Sequence, residues 1–272
     1  MNLKDYEYYR TDLGVLYHGD CLEIMPMLEP VDLVVTSPPY DNLRDYEGYT
    51  FDFEKTADGL YGIIKKGGVV VWVVGDETRK FCESLSSFKQ AIYFAEECGF
   101  NLLDTMIYHK SNYAPAYPIL RRYANTFEYM FVFSKGRPNN FNPVQVDKAK
   151  LSTKQRLGKY RQKDGSFIKK NIETDTGRIT KDAENVWTIC PTKAKDAMNH
   201  PAVFPEILAQ DHIISWSNEG DTVADIMAGS GTTLKMAEKL NRRWIGIEIS
   251  EAYCKIAKER IKKETQQLKL FR

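Results

Sequence analysis

The sequence predicts an α/β fold built on a mostly parallel, doubly wound sheet with one basic insertion. Three observations carry this. Short apolar runs rich in β-branched residues recur along the chain, amphipathic stretches of helical length separate them, and the pattern stops in one segment and then resumes. Val31–Thr36 and Val69–Gly75 are continuous apolar runs that suit strands covered on both faces. Leu102–His109 and Tyr129–Ser134 read as two more strands, the second stopped by Lys135-Gly136-Arg137-Pro138. Helices are expected over Glu54–Ile64 and Thr78–Cys98. Beyond His200 the expected order is a helix from Pro205 to about Ser217, a strand Thr222–Ile226, a helix Thr232–Leu240, a strand Trp244–Ile249 and a final helix from Glu251. The resulting organisation is a body of residues 1–143 and 198–272 around an insertion of residues 144–197.

The 272 residues carry 38 Lys and Arg against 37 Asp and Glu, a net charge of +1 that taken whole argues against a nucleic-acid binder. The average conceals a contrast. Residues 147–171 hold nine basic side chains (Lys148, Lys150, Lys154, Arg156, Lys159, Arg161, Lys163, Lys169 and Lys170) against Asp147 and Asp164. Without that segment 29 basic and 35 acidic residues remain, so an acidic body bears a basic arm. Composition leaves two readings of the arm open, a solvated insertion with little core or a contact for a polyanion. The longest apolar run, Val69–Val74, is far shorter than the roughly 20 residues of a membrane span, and no secretory leader is visible. The five cysteines form no CxxC pair and the four histidines show no metal spacing, so a reduced, cytoplasmic setting without a bound metal is expected.

Two motifs suggest chemistry. Asp225-Ile226-Met227-Ala228-Gly229-Ser230-Gly231-Thr232-Thr233 follows an expected strand and opens an expected helix. Glycines there let backbone approach a ligand, and the helix start offers free N–H groups. Glu248 ends the next strand, where a carboxylate can accept both hydroxyls of a ribose. A tight strand-to-helix turn without a ligand would need the same glycines. Thr36-Ser37-Pro38-Pro39-Tyr40 ends an earlier strand. Its prolines fix φ and remove two donors, leaving the Ser37 hydroxyl and rigid carbonyls as acceptors beside an aromatic face, a set suited to an exocyclic amino group. A stiff extended turn with a surface tyrosine is the plainer alternative.

In this order the motifs resemble the permuted β-class of DNA amino-methyltransferases, which move a methyl from S-adenosyl-L-methionine to N4 of cytosine or N6 of adenine. The resemblance covers nearly the whole chain outside the insertion. TSPPY matches the family's (D/N/S)PP(Y/F) element in its Ser form, and DIMAGSGTT matches DPFxGSGTT with Ile226 and Met227 in place of Pro and Phe. His18-Gly19-Asp20-Cys21 is similar to the segment in which an aspartate meets the cofactor's adenine. His200-Pro201-Ala202-Val203-Phe204-Pro205-Glu206 resembles the segment shaping the methionine end of the pocket. Lys66-Gly67-Gly68, Phe127-Glu128-Tyr129 and Asn185-Val186-Trp187 recur in such enzymes as well.

The resemblance implies a Rossmann-like methyltransferase fold with S-adenosyl-L-methionine as cofactor. Ser37, Pro38, Pro39 and Tyr40 become the catalytic residues. Asp20, Cys21, His200, Phe204, Asp225, Met227, Ala228, Gly229, Gly231, Thr232 and Glu248 become the cofactor-binding ones. The insertion takes the place of the family's target-recognition region, its nine basic residues contacting double-stranded DNA. SPPY leans toward cytosine N4, with adenine N6 and a catalytically silent DNA-binding relative as alternatives. A prokaryotic, phage or prophage setting is implied, and a homodimer and a cognate restriction endonuclease stay open as partners.

Overall fold

The computed structural model describes residues 2–39, 51–112, 123–147, 158–162, 166–170, 180–191 and 205–270. In chain order the elements are β1 (Glu7–Arg10), β2 (Gly14–His18), α1 (Cys21–Ile24), β3 (Val31–Thr36), α2 (Phe53–Ile63), β4 (Ile64–Val74), β5 (Thr78–Arg79), β6 (Cys82–Glu83), α3 (Ser86–Glu96), β7 (Asn101–Lys110), β8 (Phe127–Ser134), β9 (Gln145–Asp147), β10 (Gly158–Arg161), β11 (Phe167–Lys170), β12 (Thr180–Asp182), β13 (Val186–Ile189), α4 (Glu206–Trp216), β14 (Thr222–Asp225), α5 (Thr232–Lys239), β15 (Arg243–Glu248) and α6 (Glu251–Leu270). They divide into one unit of Met1–Asn142 with Glu184–Arg272 and a second of Pro143–Ala183.

Among the described residues nine strands of the first unit form one sheet in the order β1-β2-β15-β14-β3-β4-β8-β7-β13. The run β2, β15, β14, β3, β4 is parallel throughout, so five carboxyl ends lie along one edge. β8 runs antiparallel to both its neighbours. The chain passes from β3 to β4 on one side and from β14 to β15 on the other. The β3–β14 border is therefore the switch point at which an open α/β sheet leaves a ligand crevice.

The period of two in β4 explains its unbroken apolar run. Val69, Val71 and Val73 pack with Leu208, Ile213, Leu234 and Ile261 of α4, α5 and α6. Val70, Trp72 and Val74 pack with Leu60 and Phe94 of α2 and α3 on the opposite face. Buried Trp72 keeps its indole N–H satisfied by donating to Gln90 Oε1 at 2.9 Å.

Most expected elements appear within a residue or two of their expected bounds, but three points differ. β4 begins at Ile64, well before Val69, because Ile64 already pairs with Val31. The expected helix over Thr78–Cys98 starts only at Ser86, and its first turns are a small β5–β6 hairpin. There the Asp76 carboxylate accepts from the Ser87 N–H at 2.9 Å and from the Ser84 and Ser86 hydroxyls at 3.3 and 3.2 Å. Asp76 thus holds the first turn of α3 at Ser86 and Ser87 from outside the helix, which fixes the start there and leaves residues 78–83 to the hairpin. The second unit ends at Ala183, before the expected 197, because Val186–Ile189 extends the main sheet beside β7.

In the second unit β9 pairs with β12 and β10 with β11, all antiparallel. The β10–β11 register sets Lys159 opposite Lys169.

Candidate active site

The turn after β14 is held from within. The Ala228 N–H donates to the Ile247 carbonyl at 2.8 Å and the Gly231 N–H to the Ala228 carbonyl at 2.7 Å. Gly231 caps α5 at φ +75°, and a Cβ there would stand 2.7 Å from the Ala257 Cβ of α6, so only glycine fits on both counts. Ile226 is buried in the core, and Met227 is partly buried against the same cluster.

Glu248 at the end of β15 spans two turns. Its Oε2 accepts the Gly229 N–H at 2.6 Å and its Oε1 the Ser250 N–H at 2.9 Å. Burial, with the nearby Asp225 charge adding to it, pushes the carboxyl up to about 7 although the two N–H donors favour the ionised form. One strand further along, the Gly19 N–H donates to the Glu248 carbonyl at 3.0 Å, and Asp20 caps α1 by accepting the Leu22 N–H at 2.8 Å. Burial raises the Cys21 thiol to about 12, so it stays protonated. The glycine turn, Glu248 and Asp20 thus occupy the ends of three neighbouring parallel strands.

On the other side of the switch point, β3 ends in the second motif. Thr36 donates its hydroxyl to Asp225 Oδ1 at 2.7 Å, and Thr233 donates to the Val35 carbonyl at 3.1 Å. The first residue of one motif is thereby bonded to the first residue of the other. Asp225 is 2% exposed and also accepts the Met227 N–H at 3.2 Å. Its carboxylate works inward, joining two turns, and burial raises it to about 6. Pro38 is buried, with Ser37 and Pro39 half-buried beside it. Tyr40, His200 and Phe204 lie outside the described residues, as do Lys148, Lys150, Lys154, Arg156 and Lys163. Lys159 and Arg161 fall on β10 and Lys169 and Lys170 on β11, where the backbone alone is described.

Residues 31–259 match the N6/N4 methyltransferase family of DNA methylases. The chain belongs to this family. It is 51% identical over 254 residues to the orphan methyltransferase M.BamHII of Bacillus amyloliquefaciens, covering 90% of each protein. Among solved structures it is similar to the PvuII DNA methyltransferase (cytosine-N4-specific), with a TM-score of 0.69, 21% identity and coverage of 96% of this chain and 94% of that one. It is also similar to a DNA modification methylase of Thermus thermophilus complexed with S-adenosyl-L-methionine, with a TM-score of 0.60, 26% identity and coverage of 92% and 95%. The protein is an S-adenosyl-L-methionine-dependent DNA amino-methyltransferase.

The methylase's own residues fit that cofactor. A glycine turn opening a helix suits a carboxylate end, and a buried acid on the adjoining strand suits a ribose diol. The structure adds one residue that sequence reading missed. Arg260 of α6 is 1% exposed. Its Nη1 donates to the Ser230 carbonyl at 2.8 Å and to the Ser230 and Thr232 hydroxyls at 3.0 Å, and its Nη2 donates to Glu206 Oε1 at 2.8 Å. Lys235 donates to the same Glu206 oxygen at 2.8 Å. One guanidinium therefore ties the glycine turn of the methylase to the first residue of α4. In sequence Arg260 sits in a charged helical stretch and looks like any solvated arginine, its partners lying 28 to 54 residues away.

Proposed function

We propose that this methylase transfers the methyl group to N4 of a cytosine turned out of double-stranded DNA. The observation that carries the transfer is the Thr36–Asp225 bond of 2.7 Å, which joins the start of the Ser37-Pro38-Pro39 turn to the start of the glycine turn, and the Ser form of the SPPY element is what favours cytosine. An aromatic amino group is a poor nucleophile because its lone pair is delocalised into the ring. The Ser37 hydroxyl and the Pro38 carbonyl accept its two N–H bonds, so the nitrogen pyramidalises and aims its lone pair at the methyl. Pro39 stiffens the turn and Tyr40 stacks on the base. S-adenosyl-L-methionine supplies the sulfonium methyl. Catalysis is then chiefly positioning, which contributes about 7 to 11 kcal/mol. The methylated nitrogen releases one proton to water, and no covalent enzyme intermediate forms.

Asp20 meets the adenine, Glu248 accepts the ribose hydroxyls, and Met227, Ala228, Gly229, Gly231 and Thr232 line the cofactor with backbone. Asp225 acts behind them, and His200 and Phe204 shape the methionine end. The second unit contacts DNA phosphates through its nine basic residues. The local excess of nine basic over two acidic residues in 147–171 supports this role. All five cysteines are free, which supports a reducing bacterial cytoplasm. The name of the Bacillus relative, an orphan methyltransferase, supports a solitary enzyme over one paired with a restriction endonuclease. Incubation with methyl-labelled S-adenosyl-L-methionine and mixed-sequence duplex DNA, then nucleoside mass spectrometry, tests the reading. N4-methylcytosine is expected; N6-methyladenine overturns the choice of base, and the absence of label overturns the catalytic roles.

A further inference from the structure

Among the described residues four non-glycine residues have φ in the left-handed region, and three lie within one short stretch: Lys80 at +46°, Phe81 at +68° and Leu85 at +57°. The fourth, Asn241, is of a type that tolerates it. Each such residue is strained, because its Cβ crowds the neighbouring backbone oxygen. Thr78 pairs with Glu83 and Arg79 with Cys82, so Lys80 and Phe81 are the two central residues of a two-residue hairpin turn. Asn-Gly or Gly-Gly would relax there. The strained turn is held by its base. Asp76 gathers Ser84, Ser86 and Ser87, and the Ser84 N–H donates to the Glu77 carbonyl at 2.9 Å. Phe81 is nevertheless 76% exposed, so its ring gives the fold neither burial nor backbone relief. A bulky exposed side chain at a strained position, on a firmly bonded support, is the kind of outlier that points to a contact outside the fold.

The hairpin leaves the carboxyl end of β4, next to the β3 end that carries Ser37-Pro38-Pro39. Arg79 and Lys80 precede Phe81 in sequence, while Glu77 and Glu83 sit at the hairpin's base. We propose that Phe81 is an apolar wedge that enters the DNA duplex and fills the space left by the extruded target base, with Lys80 meeting an adjoining phosphate. The inference rests on reading Ser37 and Pro38 as the pocket for that base.

A wedge assists extrusion and takes no part in methyl transfer, so its effect must depend on how firmly the base is paired. The test uses the full-length protein and a duplex holding the site that the wild type methylates, beside the same duplex with the target base mispaired. Phe81→Ala is expected to slow methylation of the paired duplex by about tenfold and to come within about twofold of wild type on the mispaired one. S-adenosyl-L-methionine affinity and Tm should not change, and Phe81→Leu should keep most of the paired-duplex rate. An unchanged paired-duplex rate for Phe81→Ala, or an equal loss on both substrates, overturns the wedge. The pocket is tested separately by Ser37→Ala, expected to lose turnover on both substrates. Full turnover by that variant on the mispaired duplex overturns the pocket reading whatever Phe81 does.

Discussion

The turn after β14 and the hairpin after β4 both leave parallel strands at the same edge, and both hold backbone in the left-handed region. They meet that demand in opposite ways. The first places Gly229 at φ +51° and Gly231 at +75°, conformations a residue without Cβ adopts without strain. It is then tied inward through Glu248 and Arg260. The second places Lys80 and Phe81 there and leaves the ring in solvent. A ligand that is read by backbone favours glycine, because side chains would hold it off. A partner that is read by a side chain favours keeping that side chain, even at a conformational cost.

The largest effect on this contrast is expected at Arg260. Arg260→Met removes the donors held by the Ser230 carbonyl, the two hydroxyls and Glu206, and leaves Lys235 as a partner of that carboxylate. The expected loss is about 3 kcal/mol of stability, read from thermal unfolding. Saturating S-adenosyl-L-methionine should raise Tm less than it does in wild type, since the glycine turn proposed to hold it is no longer pre-formed. Arg260→Lys, which keeps the charge without the fork, should recover only part of both.

A smaller effect is expected from pH. Glu248 is pushed up to about 7 and Asp225 to about 6, both by burial. A carboxyl raised above its unfolded value stabilises the fold while protonated, so the cofactor-free protein should lose stability as pH rises from about 5 to about 8. In the proposed role of Glu248, ribose hydroxyls would donate to it and favour the ionised form, so cofactor affinity should run the other way. It should rise up to about tenfold per pH unit below 7 and level off above 8. Titration calorimetry at several pH values checks this. Glu248→Gln should bind more weakly and with a flatter profile, and an unaltered slope would remove Glu248 from the ribose.

The smallest effect belongs to the hairpin. Phe81→Gly relieves a strained φ without uncovering any core, although glycine frees the unfolded chain. A net rise in stability of about 0.5 kcal/mol is expected. That gain should accompany the same defect on paired duplex as Phe81→Ala. A fall in Tm would show that the ring supports the fold and would erase the contrast between the two turns.

Much of this was legible in the residues alone. Val31–Thr36 is the strand its β-branched run announces, and Glu248 stands at a strand end because Trp244–Ile247 is apolar up to that point. What misled was the stretch from Thr78. Phe81, Leu85, Phe88 and Ile92 recur at helical spacing, yet they are 76%, 50%, 42% and 55% exposed, so this periodicity did not mark the buried face of one continuous helix. Polar grouping around Asp76 outweighed it. β2 was missed because Gly14–His18 is short, and it becomes a strand by pairing with β15, more than 200 residues later.

Local pattern was enough for the strand periods, the glycine and proline turns, the family and the division into an acidic body and a basic arm. Those depend on neighbours a few residues apart, where steric preference and side-chain alternation act directly. Folding was needed to turn Asp225 inward to Thr36, to clamp the glycine turn with Arg260, to draw Val186–Ile189 into the main sheet and to leave Phe81 exposed on a strained hairpin. Those outcomes depend on which distant groups meet once the sheet has formed. Short-range pattern does not encode that choice, because burial and hydrogen-bond satisfaction are settled over the whole fold.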